Sequence, residues 1–154
     1  MERLHPAGPG ARRTVSCGTL EKPNALTIAW TGITCSDPPM TYISVRPERY
    51  SYDIIKESGE FVINLTSGAM ARATDFCGVR SGREMDKLAA TGLTVEPAKE
   101  IAAPVIAQSP LALECRVKQI IPLGSHDMFL AEIVAVDVEE RLLDEAGKLH
   151  LGKA

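Results

Sequence analysis

Short stretches in which apolar and polar positions alternate run through most of the chain and predict β-strands. The predicted strands cover residues 26–33, 40–45, 60–65, 111–117 and 128–138, which are rich in Val, Ile, Thr and aromatic residues. The most regular alternation predicts a half-buried strand with Glu114 and Arg116 on its exposed face. Residues 128–138 are apolar at nearly every position, which predicts a strand covered on both faces, by a helix or by a second subunit.

Turn and helix signals separate these strands. The prolines of the segment Gly32–Pro39 exclude a strand interior, so this segment is predicted to be a loop. Ser51 can cap a short helix that Gly59 ends. Two further short helices are predicted over Ser67–Phe76 and from Ser81, in a capping box with Glu84, to Gly92.

The order of these elements favours a mainly β fold with short helices. There is no regular alternation of strands with helices and no Gly-x-Gly-x-x-Gly motif. An antiparallel Greek-key barrel is the simplest arrangement. Residues 1–21 are predicted to form a flexible N-terminal arm and a first strand, and residues 22–154 the barrel domain, with a turn at Asp144–Gly147.

Composition narrows the class of protein. A chain of 154 residues with 45% hydrophobic residues can form one domain with a buried core. Its net charge of −3 and the absence of a clustered basic face argue against a nucleic-acid surface. No apolar stretch is long enough for a membrane helix and no signal core is present, so we expect no membrane contact and a cytoplasmic location.

The four cysteines, Cys17, Cys35, Cys77 and Cys115, are scattered along the chain. No Cys-x-x-Cys pair or suitably spaced His accompanies them, so neither a disulfide framework nor a metal site is predicted. A buried, inert thiol is favoured for Cys77 over a redox role.

Two polar clusters are candidates for binding an anion. Arg46 offers a guanidinium fork next to Ser51, whose hydroxyl stands at a predicted helix N-terminus. Alternatively, Ser51 merely caps the helix and Arg46 is solvated. Ser81 and Lys87 begin a later helix and could also hold an anion, although the capping box alone would explain Ser81.

Four segments of the sequence resemble one protein family. The segments Asn24–Pro39 and Ile43–Ser51, with Cys77-Gly78 and Ser81–Lys87, closely resemble the flavin reductase-like, FMN-binding split-barrel family, and within it the flavoredoxin branch. The resemblance extends from Lys22 to at least Leu143. It implies a split β-barrel, a homodimer with FMN, or alternatively FAD, near the interface, and NAD(P)H as co-substrate. It equally allows an electron carrier that passes electrons to a redox protein or metal acceptor. A split barrel that binds heme or pyridoxal phosphate is a further alternative.

The resemblance also implies roles for individual residues. His126, in the turn Gly124–Asp127, would lie near the flavin at the barrel rim and position the nicotinamide. Trp30 replaces a small Ser of relatives, so its side chain could line the flavin or face the partner subunit. The implied cofactor-binding residues are Asn24, Thr27, Ala29, Trp30, Ser44, Val45, Arg46, Ser51, Ser81 and Lys87.

Both ends of the chain depart from this family pattern. Thr14–Cys17 stands where relatives have an aliphatic strand, and a final strand with a Tyr/Gly-rich tail is expected after Ala154. If that tail closes the cofactor site, activity of this chain is expected to suffer more than its fold.

Overall fold

A computed structural model of the chain describes residues 13–66, 70, 88 and 91–139. The predicted features that lie largely or wholly outside these residues are the beginning of the N-terminal arm, the helices over Ser67–Phe76 and Ser81–Gly92, the sites at Ser81 and Lys87, Cys77, and the turn Asp144–Gly147. Of the two predicted helices, the structure describes Met70, Leu88, Thr91 and Gly92, and Gly92 has φ of 74°, as expected where a helix ends.

Seven strands form one antiparallel sheet. They are β1 (Arg13–Gly18), β2 (Pro23–Ile28), β3 (Thr31–Ser36), β4 (Pro39–Val45), β5 (Glu60–Leu65), β8 (Leu111–Pro122) and β9 (Asp127–Val138). A helix, α1 (Tyr50–Ser58), lies between β4 and β5, and two short strands, β6 (Val95–Glu96) and β7 (Val105–Ile106), form a separate pair.

The strand order requires this sheet to curl into a barrel. The order is β2-β1-β5-β8-β9-β4-β3, so β2 and β3 lie at opposite ends although only Ala29 and Trp30 connect them. In a flat sheet those ends would be about 29 Å apart, from six spacings of about 4.8 Å. Three Cα–Cα steps span at most about 11 Å. The sheet therefore closes on itself with a gap between β2 and β3, which is the predicted split barrel.

Apolar side chains fill the barrel interior. The fully buried residues Val15, Leu26, Ile43, Phe61 and Phe129 come from five different strands and pack in one cluster. Each strand contributes alternate residues to this cluster, because successive side chains of a strand point to opposite faces. The packed interior fixes the barrel on which the cleft described below is built.

The β2–β4 segment differs in detail from the prediction. Residues 26–33 are not one strand, because the chain bends at Ala29 and Trp30. The predicted loop Gly32–Pro39 was also wrong, since residues up to Ser36 pair with β4. The prolines restrict only the turn at Asp37 and Pro38, and Pro39 occupies the first position of β4, where proline is tolerated.

Helix α1 has a different N-cap from the one predicted, but it ends at the predicted glycine. The N-cap is Arg49, which makes no side-chain cap, so the prediction that Ser51 caps the helix was wrong. Gly59, with φ of 70°, donates its amide hydrogen to the carbonyl of Ile55 and ends the helix as predicted.

Strand β8 is buried on both faces near its start, which corrects the prediction of a half-buried strand. Glu114 is fully buried, and its carboxylate accepts hydrogen bonds from the backbone amides of Lys99 and Glu100. Residues 97–104 thereby cover the outer face of β8, and Ile101 and Ala103 pack against Val62 and Ala112. Arg116 is exposed, as predicted.

Strand β9 is covered less completely than predicted within the single chain. Phe129 and Ala131 are buried on its inner face, whereas Met128 and Leu130 on the other face are only partly buried. Cover by a second subunit remains a prediction.

Strand β1 belongs to the barrel despite its polar residues. It pairs with β2 on one side and β5 on the other. The buried hydroxyl of Ser16 donates to the carbonyl of Pro104, and Asn64 donates to both Ser16 and the carbonyl of Thr14. Hydrogen bonds therefore satisfy the buried polar side chains of a strand for which the family pattern predicted aliphatic residues.

None of the described helical segments has the length and hydrophobicity needed to cross a bilayer.

Candidate functional site

A cleft of about 190 Å³ opens at the gap between β2 and β3. Three segments form it: the end of β2 with its link to β3, the end of β4 with the following turn, and the turn between β8 and β9. The residues that line it are Thr27, Ile28, Ala29, Trp30, Ser44, Val45, Arg46, Arg49 and His126.

Seven of the residues implied by the family resemblance meet in this cleft. They are Thr27, Ala29, Trp30, Ser44, Val45, Arg46 and His126, which come from segments up to 99 positions apart. Tertiary structure therefore brings together residues that the sequence suggested one by one.

Asn24 and Ser51 contact each other, and neither lines the cleft. The amide of Asn24 donates a 2.6 Å hydrogen bond to the hydroxyl of Ser51, and both side chains are buried. This bond ties β2 to the first turn of α1. The two residues support the corner that carries Arg46 and Arg49.

Backbone hydrogen bonds fix the walls of the cleft. The amide of Ser44 donates to the carbonyl of Trp30 at 3.2 Å, which holds the β2–β3 link against the end of β4. The amide of Arg49 donates to the carbonyl of Arg46 at 3.0 Å and closes the turn that precedes α1. This turn places both arginines in the wall of the cleft.

Arg49 is the cleft residue that sequence reasoning missed. Its Nη2 atom is buried and has no hydrogen-bond partner among the described residues, and burial lowers the pKa of its guanidinium. A buried guanidinium hydrogen without an acceptor is costly, so an anion placed there would be stabilised. The spacing Arg46-x-x-Arg49 across a turn was the available signal, because a turn brings its first and fourth residues together.

The charge of the cleft suits a phosphate. None of the nine lining residues is acidic, and Arg46 and Arg49 both contribute guanidinium groups. Two planar forks at one corner match the several oxygens of a phosphate.

His126 and Trp30 contact each other in the cleft. Their ring centroids are 4.6 Å apart with an angle of 60° between the planes. The Nδ1 atom of His126 lies 2.8 Å from the hydroxyl oxygen of Ser125, and the His126 carbonyl accepts a hydrogen bond from the amide of Leu123. The predicted rim position of His126 is confirmed, and its ring is held from two sides.

A second contact missed by sequence reasoning lies next to His126. The hydroxyl of Tyr52 in α1 donates to the carboxylate of Asp127. This hydrogen bond, followed by burial and nearby negative charge, raises the pKa of Tyr52. Tyr52 also packs edge-on against Phe129, with ring centroids 5.3 Å apart. The contact connects α1 to the start of β9 and steadies the turn that carries His126.

Thiol and metal chemistry have no support among the described residues. Cys17 and Cys115 are buried, Cys35 is exposed, and none of these three lines the cleft. Burial, with the charge of Glu114, raises the pKa of Cys115 to about 12. The described part of the chain contains no cluster of His, Cys, Asp and Glu side chains suited to a metal ion.

Comparison with known proteins finds a matching family and similar solved structures. A family model described as a flavin reductase like domain matches residues 12–151. The solved flavoredoxin of Desulfovibrio vulgaris (Miyazaki F) is 35% identical with a TM-score of 0.88, over 99% of this chain and 81% of that one.

Two other relatives extend the comparison. An uncharacterized protein of Archaeoglobus fulgidus is 31% identical over 136 residues, which is 88% of this chain and 75% of that protein. The FMN reductase (NADH) RutF of Pseudomonas syringae pv. syringae is 25% identical over 103 residues, which is 64% of this chain but only 53% of that protein.

Proposed function

Because the chain belongs to the flavin reductase-like domain family, we propose that it is an FMN-binding oxidoreductase that takes electrons from NAD(P)H. The observation that carries this proposal is the buried, unpartnered Nη2 atom of Arg49 beside Arg46 in a cleft without acidic residues. That corner fits the phosphate of FMN.

The lining of the cleft offers polar groups for the remainder of the cofactor. With the phosphate at Arg46 and Arg49, the ribityl chain and ring would lie along Thr27, Ala29 and Ser44. Backbone groups and hydroxyls in this wall can hydrogen-bond the polar edge of a flavin. Bound FMN would supply reversible two-electron chemistry.

His126 is proposed to position the nicotinamide. Its ring stands at the cleft's mouth, held by Ser125 and Trp30, so it can donate or accept one hydrogen bond without being displaced. Hydride transfer requires close, oriented rings more than a protein acid, and a fixed imidazole supplies orientation.

A homodimer is proposed to complete the site. At about 190 Å³ the cleft is smaller than the roughly 300 Å³ at which sites for such ligands begin. The half-covered face of β9, with Met128 and Leu130 only partly buried, could accept a second copy. Sedimentation of the flavin-loaded protein should give about twice the mass of one 16.6 kDa chain.

A second candidate is an FMN-binding electron carrier that serves a redox protein or metal acceptor. The similarity to flavoredoxin over 99% of the chain favours this role. In this case FMN would bind in the same cleft, but NAD(P)H would not reduce it.

Visible absorption spectroscopy separates the two candidates. FMN is added to purified protein without oxygen, followed by NADH and, separately, NADPH. Bound flavin bands that bleach with either nicotinamide would support the reductase, and bands that persist but bleach with dithionite would support the carrier. Failure to bind FMN would overturn both.

A further inference from the structure

The cleft presents an exposed aromatic surface at Trp30. Trp30 is the chain's single tryptophan, and although it lines the cleft it is 53% exposed. Large apolar side chains at a protein surface often mark a binding site when they adjoin a cleft.

The position of Trp30 is fixed on both sides. Its carbonyl is held by the amide of Ser44, and its ring rests against His126 at a centroid distance of 4.6 Å. A fixed indole loses little conformational entropy when another ring stacks on it. The geometry is therefore that of a prearranged aromatic surface.

We propose that Trp30 determines substrate specificity by stacking on the planar aromatic or quinonoid ring of the second substrate, beside His126. This inference rests on the proposed flavin site, because Arg46 and Arg49 would hold the phosphate of the cofactor in the same cleft. A planar ring gains dispersion and aromatic contact on the indole, whereas a saturated ring of similar polarity does not. The second substrate would then be selected by planarity, and the cleft's cationic corner would remain with the cofactor.

The test uses duroquinone, a planar ring whose four methyl groups prevent addition to the exposed thiol of Cys35. Its dissociation constant is measured by ligand-observed NMR on wild type, Trp30→Ser and Trp30→Phe, with and without FMN. We expect Trp30→Ser to weaken duroquinone binding about three- to tenfold, and Trp30→Phe to recover most of that loss. The FMN dissociation constant of each variant is measured in parallel.

Two controls match this experiment. Ile33→Ser removes an apolar side chain that is 65% exposed and does not line the cleft, so duroquinone affinity should stay at the wild-type value. Cyclohexane-1,4-dione carries two carbonyls on a saturated ring, and its weaker binding should not depend on Trp30.

The outcomes distinguish this inference from the proposed function. Equal duroquinone affinity in wild type and Trp30→Ser, or equal binding of the saturated dione, would overturn the role of Trp30 even if FMN binds. Duroquinone binding that depends on Trp30 in a protein that does not bind FMN would instead support the aromatic surface and overturn the flavin site.

Discussion

At the scale of single residues, the pair Arg46 and Arg49 decides what the cleft can bind. Arg46 is exposed and could be solvated in isolation, as the sequence alone allowed. Arg49 changes this interpretation, because part of its guanidinium is buried beside the cleft without an acceptor. Burying a guanidinium hydrogen without an acceptor costs free energy in the free protein, and a bound anion that accepts the hydrogen bond would remove this cost.

Replacing either arginine should therefore weaken FMN binding. We expect Arg46→Ala or Arg49→Ala to raise the dissociation constant at least tenfold, because each loses a charge-assisted contact worth about 1.5 to 3 kcal/mol. Fluorescence quenching of added FMN measures this change. Lys118→Ala is the control, since Lys118 pairs with Glu132 on the barrel surface and should leave FMN affinity unchanged.

Arg49 should also give a signature that Arg46 lacks. Without FMN, Arg49→Met should make the protein more stable than wild type by about 1 kcal/mol, because an unpartnered buried group is removed. Urea unfolding measures this difference. Loss of stability together with unchanged FMN affinity would show that Arg49 serves the fold and not the cofactor.

At the scale of elements, the corner that presents these arginines depends on how β2 is attached to α1. The prediction of Ser51 as a helix cap assigned a local role to a residue whose partner is 27 positions away. This hydrogen bond is buried and joins β2 to α1, so it connects two elements and does not cap the helix.

Ser51→Ala should destabilise the protein through this link. We expect a loss of about 1 to 2 kcal/mol in the free energy of unfolding, because the buried amide of Asn24 loses its acceptor. Chemical denaturation measures the loss. Ser58→Ala in the last turn of the same helix is the control, since the hydroxyl of Ser58 makes only exposed contacts at 3.3 Å. Equal effects of the two substitutions would contradict a special role for the Asn24–Ser51 bond.

At the scale of the whole molecule, a carboxylate pair fastens residues 97–104 to the barrel. Burial alone would raise the pKa of Glu114, but hydrogen bonds from Asp137 and from the amides of Lys99 and Glu100, with the charge of Lys99, lower it. Burial and the neighbouring Glu114 raise the pKa of Asp137 to about 6, against the opposing ion pair with Lys99 at 3.3 Å. Asp137 therefore holds the proton that the pair shares.

The two pKa shifts act on stability in opposite pH ranges. The contribution of Asp137, whose pKa is raised on folding, is complete below its unfolded value of about 3.9 and is lost as the pH rises through about 6. The contribution of Glu114, whose pKa is lowered, is present above about pH 4.3 and is lost as the pH falls. The pair therefore contributes most between about pH 4 and pH 6.

Asp137→Asn should remove the loss of stability that occurs as the pH rises through about 6. An amide can donate to Glu114 at every pH, so we expect a gain of about 1 kcal/mol above pH 7 and little change at pH 5. The lost ion pair with Lys99 should cost little, because Lys99 is 62% exposed. Urea unfolding across this pH range provides the measurement. Glu132→Gln on the same strand is the control, and parallel pH profiles for wild type and Asp137→Asn would contradict the shared proton.

The sequence by itself determined the architecture and most of the cleft. Alternation in the strands, the glycine that ends α1 and the family motifs identified a split barrel, because these signals depend on neighbouring residues and on spacing along the chain. The same motifs supplied Thr27, Ala29, Trp30, Arg46 and His126, all of which line the cleft.

Only the tertiary structure decided which of the polar residues face the cleft and which support it. Glu114 alternates as an exposed residue should, yet residues 97–104 bury it. Ser51 is a residue type that often caps helices, yet its hydroxyl accepts a hydrogen bond from Asn24. The sequence around Arg49 does not indicate that part of its guanidinium is buried. Burial and hydrogen-bond partners come from segments distant in the sequence, so local pattern cannot specify them.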